Sequence, residues 1–227
     1  MKNQKQLSGH CIIYDDECPM CHLYTSAFVD YGFLDPDGRQ AFSDAANGSH
    51  QQLDLSRSRN EIPLIDLQTG TVTYGLPSLL KILTNRWRVF GLIEKIPPLF
   101  WLINKLYRFV SFNRKVMVPG NADGKACVPD FHLGYRLLYL FLGTLIVALA
   151  LRSYWQQMFP DGEALSLAIY VGIILGQLVA CFPVMWKRGI ENMLEYLGNQ
   201  MTVMVVGVLF ALPVILFSLF VDIPQMV

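Results

Sequence analysis

Over residues 164–186 and 197–221 the chain carries no charged side chain. A run of roughly 20 apolar residues, wound as a helix, is long enough to cross the hydrocarbon core of a bilayer. A third stretch, residues 135–154, has charge only near its ends, at Arg136 and Arg152. Few folds accept three such stretches in succession. They predict an all-α membrane region of three transmembrane helices over residues 135–227, with Pro183 and Pro213 kinking the second and third. Gly172 and Gly176 form a small-xxx-small pair suited to seat a neighbouring helix.

The charged residues lie elsewhere. Residues 1–130 hold 14 Lys and Arg and 13 Asp and Glu, against 4 and 5 in residues 131–227. That contrast separates a water-soluble domain from the membrane region. A net charge of zero hides a second asymmetry: residues 1–80 carry 5 basic and 10 acidic side chains, residues 81–125 carry 9 and 2. A basic block directly before the first span predicts contact with anionic lipid headgroups. No nucleic-acid-binding motif accompanies it, so nucleic acid is not an expected partner.

Residues 119–134, opening with two glycines and two prolines around Cys127, read as a linker. Residues 86–118 read as a basic helical extension, broken by Pro97-Pro98 and carrying Trp101, Lys105, Tyr107, Arg108 and Phe109. Two placements of that extension are open: an amphipathic helix in the membrane interface, or an extra helix on the domain's own sheet. For the spans, the basic block and Lys187-Arg188 flank one side, while Asp161 and Glu163 mark the other. The positive-inside rule then predicts a multi-pass protein with a cytoplasmic N-terminal domain and the C-terminus outside. Met1 to His10 is polar and lacks the apolar core of a secretory signal, so export by a cleaved signal is not expected.

Residues 1–85 carry the chemistry. Cys11-Ile12-Ile13-Tyr14 reads as a buried strand, stopped by Asp15-Asp16-Glu17. Cys18-Pro19-Met20-Cys21-His22 follows, and apolar residues at 20, 23, 24, 27, 28 and 31 then recur at helical spacing. Pro19 suits the first helical position, and Gly32 is a plausible stop. Asp35-Pro36-Asp37-Gly38 is a turn, Arg39–Phe42 a short strand, and residues 44–59 weakly helical. Residues 61–67 and 71–74 form a hairpin around Gln68-Thr69-Gly70, and Leu76–Leu83 a further helix. The order β-α-β-α-β-β-α with a Cys-x-x-Cys at the first helix start is that of an α/β thioredoxin-like domain. Pro63 opens the third strand, where such domains place a cis-proline facing the cysteines.

Two thiols at a helix N-terminus feel backbone N–H groups and a macrodipole that favour a thiolate. In that geometry Cys18 is the exposed sulfur and attacking nucleophile, and Cys21, one turn inward, the resolving thiol. The acids at 15–17 oppose the thiolate, which argues for a reducing or exchanging dithiol over a strong oxidant. Pro19, Pro63 and His22 are the expected binding residues around the pair.

The run Tyr14-Asp15-Asp16-Glu17-Cys18-Pro19-Met20-Cys21 resembles the signature of the DCC family of predicted thiol-disulfide oxidoreductases. The family is named for one Asp and two Cys, here Asp15, Cys18 and Cys21. The likeness continues at Tyr74-Gly75 before a Leu-rich helix, and from Tyr107 to Asn113-Arg114, covering roughly residues 10–116. Asp16 stands where the family usually has Gly. The resemblance implies a thioredoxin-like fold and redox activity, with Asp15 joining Cys18 and Cys21 in the catalytic set.

Other readings of the motif stay open at this stage. Cys-x-x-Cys-His is also the attachment pattern of haem c, which needs an exported, oxidising assembly site. Zinc needs four ligands; Cys18, Cys21 and His22 supply three at most, and His10, His50 or His132 would have to complete the set. Cys11 and Cys181 read as packing residues and Cys127 as an ordinary linker thiol. The favoured expectation is a membrane-anchored thiol-disulfide oxidoreductase without cofactor or metal. It would act on a disulfide-containing protein or small thiol and touch membrane lipid. The competing expectation is a non-enzymatic membrane-anchored binding or scaffolding module that holds a metal.

Overall fold

The computed structural model describes residues 6–49, 52–118, 127–159, 165–180 and 189–220. They divide into two compact units, Met1–His132 and Leu133–Val227. Several expectations lie outside the described residues: His50, residues 119–126 of the linker, Cys181, Pro183, and the loop charges Asp161, Glu163, Lys187 and Arg188.

The first unit is built on a four-stranded sheet in the order β2-β1-β3-β4. Strand β1 (His10–Tyr14) leads through α1 (Pro19–Asp30) to β2 (Arg39–Ala41). Short helical pieces α2 (Phe42–Asp44) and α3 (Leu55–Ser58) precede β3 (Pro63–Asp66) and β4 (Val72–Tyr74). Helix α4 (Leu76–Arg86) follows the hairpin. Strand β2 runs parallel to β1, and β3 antiparallel to both β1 and β4. The order of elements read from the sequence is thus recovered.

Strand β1 lies between two partners and is buried on both faces, which is why its sequence is a continuous apolar run. Alternation sends Cys11 and Ile13 into a cluster with Phe42, Leu53, Ile65 and Cys127. Ile12 points the other way, to Phe33, Leu34, Leu64 and Ile82. The hairpin turn is fastened by the Asp66 carboxylate, which accepts from the N–H groups of Gln68 (2.9 Å) and Thr69 (3.3 Å). Gly70 completes it at φ +71°, a conformation that strains any L side chain. The Ile62–Pro63 peptide bond, whose isomer the sequence leaves open, is trans.

Beyond α4 come a short helix α5 (Gly91–Lys95) and the long α6 (Pro97–Met117). The C-terminal half of α6 is packed on the domain, with Ser111, Asn113, Arg114 and Val116 buried. Tyr107 Oη accepts from Ile62 N at 3.0 Å, and Ser111 Oγ donates to the Asn60 carbonyl. Asn60 also clasps Asp130, donating to its carboxylate at 2.6 Å and accepting from its N–H at 2.9 Å. Of the two placements open for the extension, the sheet-packed one describes this half of α6. Its first half is different, and exposes Trp101, Leu102 and Leu106.

The second unit is helical: α7 (Leu133–Met158), α8 (Leu167–Ala180) and α9 (Ile190–Phe220). Two helices, Leu133–Met158 and Ile190–Pro213, are long and apolar enough to cross a membrane. The expected second span is represented among the described residues only by α8. The described residues thus give two candidate spans, not clearly three. Pro213 lies inside α9 without ending it. A methyl group at Gly172 or Gly176 would meet nothing within 4 Å, so neither seats a neighbouring helix among the described residues. Gly143 does that instead: a Cβ there would collide with the Met201 side chain. Tyr139 Oη and Thr202 Oγ1 share a hydrogen bond of 2.7 Å.

The centre of the sheet should be the most costly place to remove volume. Ile12→Ala is expected to lower unfolding stability by about 2–5 kcal/mol, while Leu23→Ala, exposed on α1, shifts it by under about 0.5 kcal/mol. Urea titration of the two variants measures both; equal effects would contradict the packing described.

Candidate active site

The loop between β1 and α1 is shaped by Asp15. Its carboxylate accepts from Glu17 N at 3.1 Å and its carbonyl from Cys18 N at 3.3 Å. Cys18 then serves as the N-cap of α1, extended at φ −92° and ψ 108°, and Pro19 takes the first turn. The Cys18 sulfur accepts from the backbone N–H of Cys21 at 3.3 Å, doing for this helix what a Ser or Asp oxygen does for most. Both cysteines are free thiols. The two sulfurs and a carboxylate oxygen of Asp15 lie within 4.8 Å of one another.

A fourth group comes from 99 positions along the chain. Arg114, near the end of α6, donates from Nη2 to Asp15 Oδ2 at 2.9 Å. The same nitrogen reaches the Cys127 carbonyl at 2.7 Å and its sulfur at 3.4 Å. Both charged side chains are withdrawn from water, Arg114 at 8% and Asp15 at 9% exposure. The sequence reading makes Cys18 the exposed sulfur; in the structure Cys18 and Cys21 are both buried. Arg114 and the segment at Cys127 occupy space around the loop that local sequence leaves to solvent.

This surrounding makes the two thiols unequal. The Cys18 thiol is lowered to about 7, first by a hydrogen bond from the Cys21 side chain and further by the Cys21 N–H and Arg114. Burial and the Asp15 carboxylate pull the other way. Cys21 is driven far up, by that same hydrogen bond and by burial. The pair is therefore poised as one thiolate and one thiol. Burial raises the Asp15 carboxyl in spite of Arg114. Burial alone would lower Arg114, but Cys127, Cys21 and Asp15 together hold it protonated.

Beside Cys21 lies a cavity of about 300 Å³. Its walls are mostly apolar, with Phe28, Phe42, Leu79 and Leu83 among them, and Arg114, Ser58 and Cys127 add polar edges. Tyr24 and Tyr107 line it with their phenols held protonated, chiefly by burial. Ile62 borders the cavity, while Pro63, fully buried next to it, does not. His22 is exposed and sets its ring edge-on to Tyr14 at 5.7 Å. Pro19 is exposed at the helix start. Asp16 turns aside, accepting from Ser43 Oγ at 2.8 Å.

Asp15, Cys18 and Cys21 are also the one group of three metal-donor side chains among the described residues. A closed zinc site needs four donors, and here a guanidinium already holds the carboxylate. Such a neighbour stabilises a thiolate and opposes a divalent cation.

Sequence reasoning missed Arg114 as a member of the site, and it missed Cys127. The signal for Arg114 was present: Ile103, Tyr107, Val110 and Arg114 fall at helical spacing on one stripe. A charge on an apolar stripe asks for a buried partner. Cys127 carried no such signal. It is a core residue and not a linker thiol, donating to the Ser58 carbonyl at 3.7 Å and pushed up to about 12 by burial.

Residues 12–118 match the family model described as DCC1-like thiol-disulfide oxidoreductase. No curated protein and no solved structure matches the chain.

Two substitutions should move Cys18 in opposite directions. Asp15→Asn removes a repelling charge and lowers the pH midpoint of Cys18 alkylation. Arg114→Gln removes an attracting charge and raises it; a rise of about one unit cuts the thiolate present at pH 7 roughly fivefold. Iodoacetamide kinetics against pH read both, and a shift of the same sign in the two variants would contradict the assignment.

Proposed function

Because the chain belongs, through its N-terminal domain, to the DCC1-like thiol-disulfide oxidoreductase family, we propose that it is a membrane-anchored enzyme that reduces or exchanges disulfides through Cys18 and Cys21. The observation that carries this reading is the placement of two free thiols on the first turn of α1, where the Cys18 sulfur caps the helix and accepts from the Cys21 N–H at 3.3 Å; the same setting lowers Cys18 and raises Cys21. The parallel β1–β2 and antiparallel β1–β3–β4 arrangement supports a thioredoxin-like fold for the domain.

In the proposed cycle the Cys18 thiolate attacks one sulfur of a substrate disulfide. The substrate S–S bond breaks, a Cys18–substrate mixed disulfide forms, and the first substrate thiolate leaves. Cys21 then loses its proton to the Asp15 carboxylate, whose raised affinity for protons and closeness to both sulfurs suit it to that transfer. The Cys21 thiolate attacks the Cys18 sulfur and releases the second substrate thiolate. Substrate gains two electrons, and the enzyme ends as the Cys18–Cys21 disulfide, to be reduced by another dithiol. Arg114 is a positioning residue here: it fixes the Asp15 carboxylate and favours negative charge on the sulfurs. A nucleophile near 7 resembles a reducing dithiol; strong oxidants of this type lie near 3.5.

The anchoring half of the proposal rests on two apolar helices, with residues 164–186 as a proposed third span. Outward apolar side chains such as Phe141 and Phe210 support contact with lipid. The distribution of basic residues favours a cytoplasmic N-terminal domain and an outside C-terminus. The partners would be a disulfide-bearing protein or a small thiol, with lipid around the spans.

Cys21→Ser is expected to accumulate a mixed disulfide on Cys18, and Cys18→Ser to form none while losing exchange with a small disulfide reporter. The wild-type rate should rise with pH and level off above about 7, each unit below costing about tenfold in thiolate. A double variant as active as the wild type would falsify the dithiol reading.

A further inference from the structure

The first half of α6 has two apolar sides. One faces the domain, through Ile103, Tyr107 and Val110, which are half-buried. The other is uncovered: Pro98, Trp101, Leu102, Lys105 and Leu106 recur at the 3–4 spacing of a single helical stripe, and all are exposed. Trp101 is 61% accessible, Leu102 59% and Leu106 60%. The preceding segment adds Val89, Leu92 and Ile96, exposed likewise. A helix that is apolar on both sides is normally covered on both, and a contiguous exposed apolar patch of this kind marks an interaction surface.

The charges around the patch indicate what covers it. Residues 86–108 hold five basic side chains and a single acid, Glu94. Arg88, Lys95 and Lys105 are exposed. The Lys105 ammonium stands 5.8 Å from the centre of the Trp101 ring, so a cation and an amphipathic aromatic share one stretch of surface. A protein partner would find few acceptors here. An anionic bilayer surface meets each feature: Trp and Leu enter the headgroup boundary, while Lys stems lie on apolar surface and keep their ammonium groups among the phosphates.

We infer that the outer face of α6, from Pro98 to Leu106, with the exposed segment before it, is a docking surface for an anionic lipid bilayer. It makes α6 a helix with two duties, since its far end supplies Arg114 to the dithiol. The inference deepens the membrane-anchored part of the proposed function but draws on different residues from those of the apolar helices.

The test uses the full chain reconstituted in phosphatidylcholine vesicles containing phosphatidylglycerol, with Trp101 kept as the single tryptophan (W87F, W155F, W186F). Lipids brominated high on the acyl chain should quench Trp101, and aqueous iodide should not. Lys105→Gln should weaken engagement on the order of fivefold, as expected for loss of one cation at an anionic surface. Leu102→Glu with Leu106→Glu should abolish lipid quenching. These are exposed positions, so reporter reduction by Cys18 and Cys21 should persist. Quenching of Trp101 by iodide overturns the inference; so does shielding from both quenchers, which means that protein covers the face. Carbonate extraction is read separately: a chain that stays in the membrane with Trp101 open to iodide retains its anchor and loses the docking surface.

Discussion

The site depends on one buried ion pair. Asp15 and Arg114 are both withdrawn from water, and neither could stay charged there alone. Their contact at 2.9 Å joins the end of α6 to the loop ahead of α1. A buried pair of this kind is weak evidence of net stabilisation, because desolvation offsets most of the attraction, but losing one partner strands the other. The pair therefore serves to specify an arrangement. It decides that α6 ends beside the dithiol, and that the turn carrying Cys18 has one geometry.

The chemistry of the cysteines follows from that arrangement together with a local effect. The local effect is the helix start: Cys18 caps α1 and takes the Cys21 N–H, so negative charge on its sulfur is favoured. Asp15 opposes this charge and Arg114 supports it. The hydrogen bond from the Cys21 side chain lowers the Cys18 thiol most and burial opposes that, which leaves Cys18 at about 7, where a dithiol has both a useful thiolate fraction and a sulfur of good intrinsic reactivity. The carboxylate that opposes the thiolate is also the group suited to receive the second proton. Cys11, raised to about 11 mainly by burial, shows what a buried thiol of this domain becomes without a helix start beside it.

Helix α6 links the two halves of the functional reading. Its C-terminal half buries Ser111, Asn113 and Arg114 together with Val116, and its N-terminal half exposes Trp101, Leu102 and Leu106 beside Lys105.

Much of this was legible in the chain itself. The strand run Cys11–Tyr14, the helix start at Pro19, the hairpin around Gly70 and the apolar stretches were all readable because each is governed by neighbours within a turn or two. The order of elements followed, and so did the choice of Cys18 and Cys21. What local sequence did not decide is everything set by residues distant along the chain. The burial of both sulfurs, the position of Arg114 and the place of Cys127 in the core required α6 and Cys127 to pack against the domain. The isomer at Pro63 and the glycine that meets a neighbouring helix, Gly143 in place of Gly172 and Gly176, are likewise outcomes of packing. The sequence by itself determined that Cys18 and Cys21 lie together at one helix start; the tertiary structure decided what surrounds their sulfurs. Whether two thiols can meet is set by spacing along the helix, whereas a pKa depends on every charge and dipole that folding brings within a few ångströms.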